Sequence, residues 1–523
     1  MWKVLNKVGE LLTSQQPNEL EEFKKSCQTA IEIIQSRAVD ETSKLKAALS
    51  LIISSLLQES NEVDFVCFDY FVEQSILAKI ANHVTSDLPS EHLEPVLDFF
   101  LRFINTELSA QLAQVSVHTP ITNILSKLES LDHKCPKETR EFASNIWETC
   151  KRRPILLEMM AVTKSKERTF PLLDFFCAAS FTLTEIGLKS REIILFLFNK
   201  PENSEPMPEH FGKYVCSKLF PQFVEFLQAV SSYVSTIQFG GSMTSTIQWI
   251  DQLLMVTNVS FPIEQIYQVF SELPPFKRNL ATSFYLSFFS SHEIVKYSID
   301  YAISHLDDII VCLSSDNNQD NNSALTLIKI MLTFPATFPY LIPPVSEHPA
   351  DILSLVPLQW LLQCEGSSGT EAYVTDSIQR IDVLGIRRKP ENESNQNSSH
   401  DNIKNDQVKV SDNNGASGNS DIFIKLLTVF KRFDTLSIHI ALLLTQVLAY
   451  YFAIAPDLIN TDLADAFKAA VNKYSDVEAF SLTFNENTND SPELRAAILS
   501  EFAKEIHGTF IASEKITTIT TGI

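Results

Sequence analysis

The chain has 523 residues, 45% hydrophobic and 20% charged, with a formal net charge of -22 and a pI near 5.0. That composition is globular, and the dispersed acidic excess argues against general binding to nucleic acid or anionic lipid. Only 12 residues are glycine, against about 37 at the usual share of about 7%. Phosphate-cradling loops and tight hairpins draw on glycine, so a glycine-rich cofactor site and many hairpins are not expected.

Residues 1–12 carry Trp2, Val4, Leu5, Val8 and Leu11 among charges. They lack an unbroken apolar run and a small-residue cleavage site, so they do not read as a signal peptide. Helical periodicity runs through 45–57. Leu88-Pro89-Ser90 reads as a turn with Ser90 as N-cap. Leu93, Val96, Leu97, Phe100, Leu101, Ile104 and Leu108 then share one side of a helix. Residues 121–131 behave similarly. Residues 172–181 and 193–198 are apolar on more than one face, as in helices packed between helices. Phe220, Phe223, Leu227, Val230 and Val234 step by three and four, and Gly240-Gly241-Ser242-Met243 reads as a helix–helix turn.

Two polar insertions follow. Residues 314–323 are SSDNNQDNNS, and residues 391–420 contain eight Asn with almost nothing apolar. The longer one cannot bury enough surface to offset its ordering entropy and is expected to be disordered and removable. The apolar pattern resumes at Ile422. Residues 440–455 are the most hydrophobic stretch, but 16 residues with Gln446 inside fall short of the roughly 20 that span a bilayer. They read as a buried core helix. Residues 517–523 are expected to fray.

Long alternating runs are scarce, so little or no sheet is expected. Amphipathic helices over hundreds of residues predict an all-α, irregular α-solenoid of HEAT/armadillo-like antiparallel helix pairs, without a strict repeat. The expected parts are an N-terminal and central solenoid over 1–390, the 391–420 insertion, and a C-terminal helical part over 421–523 that packs on the solenoid.

The eight cysteines are widely spaced without C-x-x-C, which predicts buried free thiols in a reducing compartment. No phosphate-loop, dinucleotide or nucleophile-elbow motif is present, and His292-Glu293 lacks the second His of a helical zinc site. Asp98, Asp174 and Asp64 adjoin aromatic runs and read as solvent-facing acids at helix edges, with nothing beside them to support a general base. The basic runs Lys151-Arg152-Arg153 and Arg387-Arg388-Lys389 read as solvated patches, the second open to a membrane or acidic partner. No catalytic, cofactor-binding or metal residue is assigned, no cofactor is expected, and a non-enzyme is favoured.

The order of segments resembles the FHIP family, the FTS and Hook-interacting proteins. Leu88-Pro89, Val96-Leu97-Asp98-Phe99-Phe100 and Val117-His118-Thr119-Pro120-Ile121 stand where that family has a turn, a Phe-Phe helix and a His-x-Pro segment. Phe170-Pro171-Leu172-Leu173 with Arg191-Glu192-Ile193-Ile194-Leu195, the helix at Glu371-Ala372-Tyr373-Val374-Thr375-Asp376-Ser377, and His439-Ile440-Ala441-Leu442 with Thr445 and Pro456 continue the order. His439 departs from the Asn usual there, as in a divergent member. The resemblance implies a non-catalytic adaptor scaffold linking early endosomes or vesicles to a Hook-type coiled-coil dynein adaptor, together with an FTS-like protein. It also implies a Rab-type GTPase, a cytoplasmic location and peripheral membrane association through partners, with no nucleic acid. The alternative is a generic HEAT-like scaffold in trafficking, nuclear transport or phosphatase assembly.

Overall fold

Residues 2–59, 66–84, 88–106, 108, 111, 114–164, 167–199, 207–234, 241–343, 350–357, 360, 369–383, 418–477 and 490–521 are described by the structure, a computed structural model. The fold is all-α. Among the described residues, the one sheet is a hairpin of β1 (Val162–Lys164) and β2 (Glu167–Thr169), paired antiparallel with Val162 opposite Thr169. The chain forms two compact units, residues 1–223 with Val256–Phe261 and residues 224–255 with Pro262–Ile523.

In the first unit the helices are α1 (Trp2–Ser36), α2 (Thr42–Glu59), α3 (Val66–Glu73), α4 (Ile76–His83), α5 (Ser90–Asn105), α6 (Val115–Leu125), α7 (Leu128–Asp132), α8 (Pro136–Arg152), α9 (Ile155–Met159), α10 (Pro171–Ala179) and α11 (Glu185–Phe196). Packing follows two rows. One runs α1, α4, α6, α10; the other runs α2, α5, α8, and each row leans on the other. This layering is compatible with stacked helix pairs.

The periodic stripes become the core, except that Leu101 of α5 is only half-buried. Leu93, Val96, Leu97, Phe100 and Ile104 of α5 are all buried, and Phe99 meets Phe100 edge to face at 5.5 Å. Ser90 does not cap α5. It is the first helical residue, Pro89 holds the cap position, and no side-chain cap bond forms. Proline with its fixed φ enters a helix start without losing a bonded N–H.

Helix α12 (Glu209–Tyr233) buries Phe220, Phe223, Leu227 and Val230, and the division between the units falls inside it, after Phe223. The units thus divide within the 1–390 part. The second unit holds α13 (Gly241–Val256), α14 (Ile263–Tyr267), α15 (Pro275–Phe288), α16 (His292–Ser304), α17 (Leu306–Leu313), α18 (Asn318–Met331), α19 (Phe338–Leu341), α20 (Gly369–Val383), α21 (Gly418–Lys431), α22 (Ile438–Ile454), α23 (Thr461–Val471) and α24 (Pro492–Thr521). Helices on both sides of the long polar insertion share its core. Helix α22 packs on α18 and α24, and α24 packs on α20.

Helix α22 is the apolar stretch, buried along Ile440, Leu444, Val447, Leu448 and Tyr451. Gln446 accepts a hydrogen bond from Lys329 Nζ at 2.8 Å. Among the described residues no single helix is long and apolar enough to cross a membrane.

The shorter Asn-rich run is not an insertion. Residues from Asn318 onward open α18. Asn317 caps it by accepting from Gln319 N–H at 3.0 Å, and Asn321 donates to the carbonyls of Ser315 and Asn317. Asn side chains here satisfy the helix start, which explains how so polar a segment stays ordered. Residues 391–417 lie outside the described residues, and 418–420 already form the start of α21.

Seven cysteines, all except Cys364, lie among the described residues, and all are free and buried. Burial pushes the thiols of Cys27, Cys67 and Cys150 up to about 12. A buried neutral thiol is a poor nucleophile. Ellman's reagent is therefore expected to react quickly with no more than one thiol per native chain and with all eight after unfolding. Rapid reaction of several thiols in the native chain would contradict the packing.

Candidate interaction surface

The charged face of the first unit is built on α2, α5, α8 and α11. Two clefts open on it, and α8 forms a wall of both. The first, about 230 Å³, lies among Lys46 of α2, Glu94 and Asp98 of α5, and Lys137 and Glu141 of α8. The second, about 500 Å³, lies between α8 and α11.

Local sequence explains the second cleft. Trp147 of α8 is 1% exposed and meets Phe176 of α10 and Phe196 of α11 edge to face, at 6.3 and 6.0 Å. Lys151 lies over the Phe196 ring at 4.7 Å. These contacts join the C-terminal ends of α8 and α11, and the cleft runs along α8 from Pro136 to Glu148, opposite Glu185, Ile186 and Lys189 at the start of α11.

The position of α11 is fixed from its own start. A Cβ on Gly187 would sit 2.0 Å from the Thr182 carbonyl oxygen, so the turn before α11 passes too close for any other residue. Arg191, 4% exposed, donates from Nε to the Ser180 carbonyl at 2.8 Å, and burial lowers its pKa. Gly187→Ala is expected to lower stability by about 1–3 kcal/mol, the usual cost of overpacking. An unchanged melting temperature in a thermal scan would contradict this close approach.

The surface carries charges of both signs. Arg140 makes two bonds to Asp132, at 2.8 and 3.0 Å, and Arg102 pairs with Asp98 at 2.9 Å. Glu148 lies 3.9 Å from Lys151. Lys137 and Glu141 project from α8 into the cleft, and Glu185 and Lys189 face them from α11.

Two of the three acids singled out from the sequence, Asp98 and Asp174, are engaged. Asp98 holds Arg102. Asp174 accepts from Tyr214 Oη at 2.6 Å, so it is not a free acid at a helix edge. Burial, aided by the Asp174 carboxylate, pushes the Tyr214 phenol up. That bond spans 40 residues of sequence, beyond the reach of local pattern. Asp64, Gly240 and residues 387–389 lie outside the described residues, and Gly241 begins α13. In Lys151-Arg152-Arg153, Lys151 is spent on Phe196 and Glu148, while Arg152 and Arg153 are exposed. Near α9, Arg168 pairs with Glu158 at 2.5 Å, lies over Phe170, and shares Glu158 with His210.

Among the described residues no group of three or more His, Cys, Asp or Glu is arranged to hold a metal ion. In the second unit, Ile352, Leu353, Ile459, Ile506 and Phe510 line an apolar hollow of about 230 Å³ with Asp351 and His507 among its walls. Sequence reasoning missed both clefts and the hollow, because each depends on how separate helices splay.

The resemblance segments fall on helices and helix starts. Val117 to Ile121 lie in α6, Phe170 precedes α10, Arg191 to Leu195 lie in α11, and Tyr373 to Ser377 lie in α20. No family model matches the chain, and no curated protein matches it.

Proposed function

We propose that the chain is a non-catalytic adaptor scaffold of the FHIP kind. It joins early endosomes or other vesicles to a Hook-type coiled-coil dynein adaptor, together with an FTS-like protein. A Rab-type GTPase supplies the vesicle address, and the chain works in the cytoplasm, peripheral to the membrane. The observation that carries the scaffold reading is the helix-walled face of the first unit, where two clefts share α8. Grooves between helices are a recurrent way of holding a partner's helix, and stacked helix pairs present them at fixed spacing. The partners come from the order of resembling segments.

The test is reconstitution. The purified full chain is mixed with a Hook-type coiled-coil fragment and an FTS-like protein and run by size exclusion. Co-elution of all three supports the reading. Co-elution instead with an importin or a phosphatase subunit would favour the generic HEAT-like alternative, and three separate peaks would sink the FHIP assignment.

A further inference from the structure

We propose that the α8–α11 cleft receives one amphipathic helix of a partner protein. Its apolar stripe enters between the walls, and its flanks set acidic side chains against Lys137 and Lys189 and basic ones against Glu141 and Glu185. This deepens the scaffold reading and rests on it.

Three observations select a helix of this chemistry. The α8 wall is a ridge, since Lys137, Glu141, Asn145 and Glu148 recur at spacings of three and four. Such a ridge interdigitates with the groove of another helix. The row α2, α5, α8 packs helix on helix, while α11 packs on α10 of the other row, so an incoming helix laid against α8 extends the first row. The cleft holds about 500 Å³, room for a stripe of side chains and not one anchor, and Ile186 and Pro136 contribute apolar wall.

Charge sets the flanks. Arg140 is committed to Asp132, and Glu148 lies beside Lys151. Lys137, Glu141, Glu185 and Lys189 make no ion pair with one another in the structure, and they present both signs within one cleft. Interspersed acid and base is the flank pattern of amphipathic and coiled-coil helices, and complementary placement sets partner choice and register. A polyanion would meet Glu141 and Glu185 head on.

The experiment uses the full chain and a displayed library of amphipathic helices about three heptads long, with a Leu/Ala stripe and randomised flanks. Selected peptides are expected to carry both signs on their flanks. Two variants locate the binding. Asn145→Arg fills the cleft from α8, and Lys137→Glu with Lys189→Glu reverses the two cations. Melting temperatures check that each variant is folded. At least tenfold weaker binding is expected for each. Peptides with acids exchanged for lysines should regain affinity on the double variant only. The proposal is overturned if no sequence enriches, if enriched flanks carry one sign, or if both variants bind as the parent does. Peptide binding at the cleft without any Hook-type or FTS-like complex would discard the family assignment and keep the cleft. Complex formation with no cleft-dependent peptide binding would do the reverse.

Discussion

Trp147→Ala should lower the stability of the first unit by roughly 3–5 kcal/mol, the usual cost of deleting a large buried ring. The ring is 1% exposed and is the point where α8, α10 and α11 meet, against Phe176 and Phe196. Its removal takes away apolar burial and two edge-to-face contacts together, and a rigid core does not close the gap. Trp147→Phe keeps a ring and should cost less than half as much. Because stacked helices share stability with their neighbours, the damage should be local. Hydrogen exchange should speed up in α8, α10 and α11 and stay unchanged in α22. Uniform acceleration across both units, or no loss on urea unfolding, would show that Trp147 is not this junction's keystone.

The second large effect belongs to Arg495, a cation 6% exposed at the start of α24. Its guanidinium donates to the carbonyls of Phe433 and Leu436, each at 2.5 Å, and makes two bonds to Asp490 at 2.8 and 2.6 Å. It therefore ties α24 to the turn after α21. Arg495→Ala should cost roughly 2–6 kcal/mol, at about 1–3 for each of the two buried carbonyls stranded. Arg495→Lys should recover only part, since an ammonium lacks the planar fork. A loss under about 1 kcal/mol for Arg495→Ala on urea unfolding would contradict the clasp.

The same clasp predicts a pH dependence. The Arg495 guanidinium holds the Asp490 carboxyl below its ordinary value of 3.8. A depressed folded pKa means stability that is present above the unfolded value and lost as pH falls through the folded one. Stability should therefore drop below about pH 4, and Asp490→Asn should flatten that limb. Asp490 is 52% exposed, so solvent screening keeps the contribution small.

Much of this architecture was legible in the sequence. The stripes of α5 and α12 announced their buried faces, because 3.6-residue periodicity follows directly from one-sided burial. The apolar stretch of α22 was legible as core by its length. Other features depend on chemistry that periodicity does not weigh. The run of Asn at the start of α18 looked like an insertion, yet Asn317 and Asn321 serve the helix start. The three-residue strands of the β1–β2 hairpin are too short to alternate visibly. The division inside α12 leaves no mark, since the helix is apolar on both sides of Phe223.

The candidate surface was the least legible part. Lys137 and Lys189 lie far apart in sequence, and nothing local says that α8 and α11 meet at one end and part at the other. Gly187 was a visible clue, as a rare glycine in a helix, but its reason is a carbonyl that only the folded turn brings near.

Hydrogen exchange of the full chain, alone and with the Hook-type fragment and FTS-like protein, tests the scaffold reading most directly. Slowed exchange concentrated in α8 and in the N-terminal half of α11, with α22 unchanged, is the expected pattern. Binding that leaves α8 and α11 untouched, or no protection anywhere at saturating partner, would contradict it.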